Sequence, residues 1–383
     1  MEANLSQALL RKVSDSLAEP VPRFTRRDVD LQRIPGKAIA VIGIRRAGKS
    51  TYLWQLLADR LARGASRDSL LYVGFDDDRL EGLAVQDLDR MLEAYYRLYP
   101  EGRRGQPVTL FLDEIQVVPG WESFVRRVLD TEAAEVFLSG SSARLLSREL
   151  ATALRGRAME ALVHPFSFRE ALRHKGREPA PDAVRWSAAT RSQVGADLDD
   201  YLRVGGFPEA QGAATRDRAR LLRGYVDSVL LRDVIERHAV SHPVALTWLT
   251  RHLLANAAGS FSIHRFTNDL RSQGISVGKD SLYAFLDHLT DAFLVRIVPM
   301  ATDSERQRMA NPRKAYPIDP GLIPLYDRTS RANVGHALEC AVAVELERRG
   351  AELAYVRTPK GYEVDFLARS PEGDEDLVQV CAR

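Results

Sequence analysis

The chain has 383 residues, which is too long for one ordinary hydrophobic core and suits two or three domains. Hydrophobic residues make up 45% of it, as in globular proteins, and the formal net charge of only +2 excludes a strong overall field that would attract nucleic acid. Its two cysteines, Cys340 and Cys381, lie far apart and exclude both a disulfide framework and a zinc site of the CxxC type.

The N-terminal segment, residues 1–36, precedes the first predicted core strand. Met1–Pro20 is polar and amphipathic and lacks the apolar centre of a signal peptide. No apolar run in the sequence approaches the roughly 20 residues that span a bilayer. We therefore expect a cytoplasmic protein without membrane contact. The basic stretch Arg23–Arg27 would either line a nucleotide base pocket or form a solvated turn.

A glycine-rich loop follows the first predicted strand. Gly43–Thr51 reads GIRRAGKST and fits the pattern GxxxxGK[ST], with the apolar run Ala38–Ile42 before it and a helical pattern, Tyr52–Leu61, after it. In this context, backbone N–H groups point at phosphates, the lysine reaches the β and γ oxygens, and the serine hydroxyl reaches Mg²⁺. The loop therefore predicts a Walker A site for ATP. Its residues are Gly43, Arg46, Ala47, Gly48, Lys49, Ser50 and Thr51.

Two later strands end in polar residues at the same predicted edge. Val108–Leu112 has the pattern of a buried strand and leads into Asp113 and Glu114, as in a Walker B motif. We expect Asp113, together with the Walker A serine, to hold Mg²⁺ and Glu114 to polarise the attacking water. Because ligands of open α/β sheets bind beyond the carboxyl ends of strands, we predict that Ser139, or next Ser141, senses the γ-phosphate. The alternative is that these serines only cap the strand.

Charged residues near these strands have more than one interpretation. Arg155 and Arg157 follow the sensor strand, with Arg144 and Arg148 upstream. An arginine from the same chain or from across a subunit interface can neutralise charge in the transition state of phosphoryl transfer. We predict that Arg157 has this role. Asp76–Asp78, after the second strand, would tune Mg²⁺, bind an arginine or remain solvated.

The order of the predicted elements defines the domains. Strand and helix patterns alternate up to about residue 165, which predicts an α/β P-loop NTPase fold, a parallel sheet with helices on both faces. Beyond a polar linker at Lys175–Pro181 come amphipathic helices, a turn at Gly274, another helix and a strand at Ala292–Met300. That order is typical of a winged helix-turn-helix. The predicted division is an N-terminal segment 1–36, an ATPase core 37–175, a mostly helical winged-helix domain 182–330 and a small α/β C-terminal module 331–383.

These motifs resemble those of a bacterial and archaeal group of AAA-type ATPases that carry a C-terminal region of unknown function. The resemblance covers nearly the whole chain. It rests on GIRRAGKST, Phe75-Asp-Asp with Arg79-Leu80, Leu112–Gln116 with Pro119 and Trp121, Ser139–Ser142, Gly156-Arg157, Pro165–Glu170, Tyr201–Pro208, Tyr316–Gly321 and Glu363–Phe366. It implies ATP hydrolysis by a helical-lidded core that is coupled to a winged-helix module.

Three strands are predicted after the helix that carries Glu339, namely Glu352–Arg357, Glu363–Leu367 and Asp376–Cys381. Glu339 on the helix, Asp365 on the second strand and Gln379 on the third resemble, in their order, the restriction-endonuclease-like core. In that core two acids bind a metal, and a lysine two residues after an acid or glutamine activates water. Here Cys381 stands at the lysine position, with Lys360 as the substitute to consider. The sequence ends at this third strand, so the module would be truncated or incomplete. We expect a degenerate module in which Glu339 and Asp365 hold Mg²⁺ without cleavage.

Two classes of function stay open. A third class, an active metal-dependent nuclease, is disfavoured by Cys381. One of the two is an ATP-driven switch or remodeller that contacts DNA through the winged helix. The other is a regulatory NTPase that sets the conformation of a protein partner, and the acidic Asp280 and Asp287 on the recognition helix favour it. An arginine supplied across an interface would require a homo-oligomer. The predicted DNA contacts are Lys279, Ser281, Tyr283 and Arg265, with Arg271 as a further phosphate contact.

Overall fold

The computed structural model describes residues 2–32, 34–105, 107–140, 154, 156–304, 306–307, 312–327, 334–358 and 360–382. The chain divides into two compact units. Unit 1 comprises Met1–Gly43 and Gly48–Val163, and unit 2 comprises Ile44–Ala47 and His164–Arg383. Contacts thus group residues 164–175 with the C-terminal part of the chain, whereas the four-part division stays a prediction.

Unit 1 is built on a five-stranded parallel sheet in the order β2-β3-β4-β1-β5. Its strands are β1 Ala38–Ile42, β2 Leu70–Gly74, β3 Val108–Asp113, β4 Ala134–Ser139 and β5 Ala158–Leu162, and its helices are α1 Glu2–Ala18, α2 Lys49–Ala62, α3 Val85–Leu98 and α4 Trp121–Thr131. All residues of β1 and β3 are buried, as expected when helices cover both faces of a parallel sheet. The predicted α/β fold is confirmed.

Polar contacts hold the N-terminal segment against the rest of unit 1. Lys12 of α1 forms an ion pair with Asp77 at 2.8 Å, and Arg79 binds the same carboxylate. These two cations hold the pKa of Asp77 well below its usual range, Arg79 more than Lys12. The backbone of Arg27 donates to and accepts from the side-chain amide of Gln55 of α2, at 2.7 and 3.1 Å. The basic stretch therefore lies along α2, and Asp77 binds cations instead of remaining solvated.

In its described residues, unit 2 is mostly helical and contains two small antiparallel sheets, with strand orders β6-β8-β7 and β11-β10-β9. Its helices are α5 Phe168–His174, α6 Ala188–Val204, α7 Thr215–Ser228, which continues as a π-helix over Val229–Glu236, α8 Pro243–Ala255, α9 Ile263–Ser272, α10 Lys279–Asp291, α11 Ile323–Tyr326 and α12 Val334–Arg348. Its strands are β6 Ser260–Phe261, β7 Val295–Val298, β8 Arg313–Pro317, β9 Glu352–Arg357, β10 Glu363–Arg369 and β11 Glu375–Val378. None of the helices in the described parts of the chain is long and apolar enough to cross a membrane.

The adjacent glycines Gly205 and Gly206 of unit 2 pack against the buried carboxylate of Asp319. Asp319 accepts hydrogen bonds from the backbone N–H groups of Gly206 and Gly321, at 2.5 and 2.9 Å. Burial raises the pKa of Asp319 to about 7. At Gly205, φ is +78° and a Cβ atom would lie 1.8 Å from Oδ1 of Asp319. Only glycine fits this contact, which joins two of the motifs that carry the family resemblance.

Gly205→Ala should destabilise unit 2 strongly. With φ of +78° and ψ of −171°, the backbone has a conformation that almost only glycine adopts and that costs another residue roughly 1–3 kcal/mol. The collision with Asp319 adds to that cost because the carboxylate is fixed by its hydrogen bonds. Gly212→Ala is the matched control, since φ there is +74° and no atom lies within 4 Å of the new Cβ. Thermal unfolding followed by circular dichroism should show the larger loss for Gly205→Ala. Equal losses would mean that the contact with Asp319 is unimportant.

Candidate functional site

The strand order brings the two predicted nucleotide motifs to one edge of the sheet. β4 lies between β1 and β3, so the loop after β1 and Asp113 at the end of β3 are only two strand spacings apart, about 10 Å. Ser139, the last residue of β4, lies between them and pairs in register with Val41 of β1. Side chains from three strand ends can therefore meet one ligand.

The glycine-rich loop leads from β1 into α2 with a backbone that favours glycine. At Gly43, φ is +145° and a Cβ atom would lie 2.2 Å from the carbonyl oxygen of Val163. Gly48, with φ +97°, immediately precedes α2. The first N–H groups of a helix have no acceptor within the helix, and the helix dipole adds partial positive charge there. This end of α2 is thus suited to bind phosphate.

Lys49 is the first residue of α2, and its side chain turns back across the loop. It is 6% exposed, and its Nζ donates a hydrogen bond to the carbonyl oxygen of Gly43 at 3.1 Å. An ammonium group has three N–H donors and binds phosphate as a point charge. Ser50 and Thr51 follow in the first turn of the helix and are exposed. The start of α2 therefore carries a cation and two hydroxyl groups, and their contact with phosphates and Mg²⁺ stays a prediction.

The middle of the loop, Ile44–Ala47, belongs to unit 2. Arg45 forms a two-pronged ion pair with Asp233 of the π-helix, at 2.7 and 2.8 Å, and Arg46 pairs with Glu209 at 3.0 Å. Arg46 has φ +65°, a conformation that is unusual for a residue with a side chain. π-Helical turns are frequent at functional sites. Sequence reasoning missed the pair of Arg45 with Asp233, because 188 positions separate the two residues.

Asp113 is fixed by two hydroxyl groups. Tyr72 of β2 donates to its Oδ2 at 2.6 Å, and Ser139 donates to its Oδ1. Burial, followed by the neighbouring Asp113, raises the pKa of Tyr72, so the phenol stays a donor. The Tyr72 ring stacks on Trp54 with ring centroids 4.4 Å apart. A carboxylate has about four acceptor positions, so Asp113 also fits as a magnesium ligand.

Glu114 follows Asp113 at the edge of the sheet where the strands have their C-terminal ends, and it is half-buried. Its φ is +54°, and its backbone N–H donates to Oγ of Ser139 at 3.0 Å. The amide of Gln116 donates to its carboxylate. Ser139 thus connects the two acids, and its sensing of the γ-phosphate stays a prediction. The alternative sensor and arginines, Ser141, Arg144, Arg148 and Arg155, lie outside the described residues.

Arg157 lies at the opposite edge of the sheet from the nucleotide motifs. It immediately precedes β5, which runs parallel to β1, and its carbonyl accepts from the N–H of Ala38 at the start of β1. Its guanidinium pairs with Asp130. Five residues of strand separate the two edges by about 15 Å. Arg157 is therefore too far from the nucleotide motifs of its own chain to act there. That Arg157 reaches the nucleotide site of another subunit stays the prediction.

Unit 2 brings the three C-terminal residues of the nuclease-like pattern together. Glu339 lies on α12 and Asp365 on β10, and the Gln379 side chain donates to Oδ2 of Asp365 at 2.6 Å. The backbone N–H of Val380 donates to the same oxygen at 2.9 Å. The chain after Val378 thus bonds to a carboxylate instead of a neighbouring strand, so the prediction that a strand extends to Cys381 was wrong.

Lys314 of β8, which none of the sequence motifs predicted, lies among these acids. It is 5% exposed, and its Nζ lies 2.8 Å from Oε1 of Glu363, 3.0 Å from Oε1 of Glu339 and 3.4 Å from Oδ1 of Asp365. Burial opposes its charge, but Glu363 and Glu339 raise its pKa above the usual value. The cation of this cluster is therefore Lys314, neither a residue at position 381 nor Lys360.

The predicted DNA-contacting residues lie at the surface of unit 2. Lys279 and Tyr283 of α10 are exposed, as is Arg265 of α9, and Ser281 is half-buried. The Tyr283 ring lies 5.6 Å from the guanidinium carbon of Arg313. This helix surface carries both charges, because the first turn also contains Asp280.

Two known families match separate parts of the chain. A family described as an AAA domain matches residues 35–172, and a domain of unknown function (DUF8612) matches residues 195–331. An uncharacterised protein of Methanocaldococcus jannaschii is 31% identical over 364 residues, which are 94% of this chain and 78% of that protein. An uncharacterised protein of Haemophilus influenzae is 29% identical over 343 residues, 89% of this chain and 81% of that protein. The Walker-type ATPase PABY2304 of Pyrococcus abyssi, a solved structure, aligns with 84% of this chain and 95% of its own at 16% identity and a TM-score of 0.49.

Proposed function

We propose a function for this chain, which belongs to the AAA-type ATPases with a separate C-terminal domain of unknown function. In this proposal it hydrolyses ATP with Mg²⁺ and acts on DNA through unit 2. One observation carries the ATPase part. The strand order β3-β4-β1 brings the Walker A loop, Asp113, Glu114 and Ser139 to the same edge of one sheet.

Each residue at this edge has a chemical role in the proposal. Lys49 and the backbone N–H groups at the start of α2 bind the β and γ phosphates. Ser50 and Asp113 would hold Mg²⁺, which, when bound, offsets the negative charge of the phosphates. Glu114 accepts the proton of the attacking water, and Gln116 helps to hold its carboxylate in place. Ser139 fixes Asp113 and Glu114 relative to each other.

Arg157→Ala should lower turnover by on the order of tenfold or more with little loss of ATP affinity, since an arginine finger acts mainly in the transition state. We propose that Arg157 reaches the site of a neighbouring copy, which makes the active form a homo-oligomer. Mixing Arg157→Ala with Lys49→Ala protein should restore activity, because each Lys49→Ala copy supplies an intact arginine. The control is Asp130→Ala, which removes the partner of the arginine and should keep turnover. A mixture that stays inactive at every ratio would contradict supply across an interface.

The proposal of DNA contact rests on the order of elements in unit 2. The order of α8, β6, α9, α10, β7 and β8 matches the order expected of a winged helix, which would make α10 the recognition helix. Lys279, at the start of α10, and Arg265 supply exposed cations for phosphate contacts. The exposed Asp280 favours the second candidate, a regulatory NTPase with a protein partner.

ATP turnover should be measured with and without single- and double-stranded DNA at two salt concentrations. DNA contact predicts stimulation that weakens as salt rises, because phosphate contacts release counterions. It should also weaken in Lys279→Ala, whereas Lys175→Ala, a lysine outside the winged helix, should leave it unchanged. Turnover that DNA leaves unchanged at low salt would support the protein-partner candidate.

A further inference from the structure

The nuclease-like resemblance implies a divalent metal held by Glu339 and Asp365, and the geometry of the cluster does not fit one. Divalent cations such as Mg²⁺ and Ca²⁺ bind carboxylate oxygens at about 2.0–2.6 Å. The Nζ atom of Lys314 lies 3.0 Å from Oε1 of Glu339 and 3.4 Å from Oδ1 of Asp365. A metal bound to these two oxygens would lie in contact with the ammonium group. Both steric overlap and charge repulsion oppose that arrangement.

Further hydrogen-bond donors bind oxygens of Glu339 and Asp365. Tyr316 donates to Oε1 of Glu339 at 2.6 Å, the oxygen that also binds Lys314. Oδ2 of Asp365 accepts from the side chain of Gln379 and from the backbone of Val380. A metal bound to either of these oxygens would have to displace their donors, and a buried donor left without an acceptor costs roughly 1–3 kcal/mol.

The lysine belongs to a different part of the fold from the acids. Lys314 is on β8, whereas Glu339 is on α12, and Glu363 and Asp365 are on β10. Glu363 is 38% exposed in its side chain, so water screens its charge, while Glu339 and Asp365 are each 11% exposed. The buried ammonium therefore serves mainly the two buried carboxylates, and it links three elements of unit 2.

We propose that Lys314 takes the place of the metal in this cluster. The nuclease-like module then binds no divalent cation at Glu339 and Asp365, cannot use a metal to hydrolyse phosphodiesters, and is a structural part of unit 2 held together by its own cation. The two acids then hold no Mg²⁺, contrary to the expectation from the sequence. This role of Lys314 is independent of the proposed ATPase function, since all residues of the cluster lie outside the nucleotide motifs.

Mn²⁺ binding to the nucleotide-free full chain tests the proposal, with free Mn²⁺ followed by electron paramagnetic resonance. Wild type and Asp365→Asn should give the same binding curve, because Asp365 holds no metal. Lys314→Met should gain one Mn²⁺ site, tighter than any in the wild type by on the order of tenfold, because three carboxylates lose their cation. The double variant Lys314→Met with Asp365→Asn should lose that site. Lys314→Arg, which keeps the charge, should not gain it.

Two outcomes would overturn the proposal. One is an Mn²⁺ site in the wild type that Asp365→Asn removes. The other is a folded Lys314→Met protein, judged by circular dichroism, that gains no site. If Lys314→Met fails to fold, the comparison of wild type with Asp365→Asn still tests whether Asp365 holds a metal, because that comparison does not use Lys314→Met.

Discussion

Replacing Lys49 with alanine should abolish tight nucleotide binding. The ammonium group is buried at the start of α2 beside the glycine-rich loop, where it would neutralise charge on the β and γ phosphates. Hydrogen bonds to charged groups contribute about 1.5–3 kcal/mol each. Loss of the whole group should therefore weaken binding by on the order of 100-fold or more. Titration of a fluorescent ATP analogue in the presence of Mg²⁺ measures the change.

Lys37→Ala is the matched control for this experiment. Lys37 immediately precedes β1, at the edge of the sheet opposite to the loop, and its removal changes the net charge of the protein by the same amount. It should leave nucleotide affinity unchanged. Wild-type affinity in Lys49→Ala would remove the Walker A assignment, and equal losses in the two variants would mean that only overall charge matters.

The features that sequence reasoning predicted correctly depend on neighbours along the chain. The strand before the loop, the loop itself and the helix after it are defined by an apolar run, by two glycines with positive φ and by helical periodicity. The observed bounds of β1, Ala38–Ile42, are those of the predicted apolar run. The acids Asp113 and Glu114 follow a strand that is buried throughout. Local patterns were sufficient to find this edge of the sheet.

The features that the sequence did not predict depend on contacts between distant parts of the chain. The sequence leaves a same-chain role of Arg157 open because its pattern does not predict β5, whose direction determines which edge of the sheet Arg157 occupies. Lys314 precedes Asp365 by 51 positions and comes from another sheet. The nuclease-like pattern instead predicts a lysine two residues after Gln379. Tyr72 lies within an apolar strand, and only the neighbouring position of β3 shows that its hydroxyl meets Asp113.

Glu114→Gln should separate ATP binding from hydrolysis. Asp113 and Ser50 remain to hold Mg²⁺, and Lys49 remains to bind the phosphates, so the affinity for ATP should stay near that of the wild type. The amide cannot accept the proton of the attacking water, and general-base catalysis contributes roughly 10²–10⁴-fold. The turnover rate should fall by that factor with little change in the dissociation constant measured by nucleotide titration.

The control is Glu122→Gln, the same chemical change in the first turn of α4, which should keep full turnover. This pattern is the opposite of that expected for Lys49→Ala, in which binding itself is lost, so the two variants distinguish a phosphate ligand from a base. If Glu114→Gln hydrolyses ATP at the wild-type rate, Glu114 is not the base. If it also binds ATP poorly, its main contribution is to the hydrogen bonds that join it to Ser139 and Gln116.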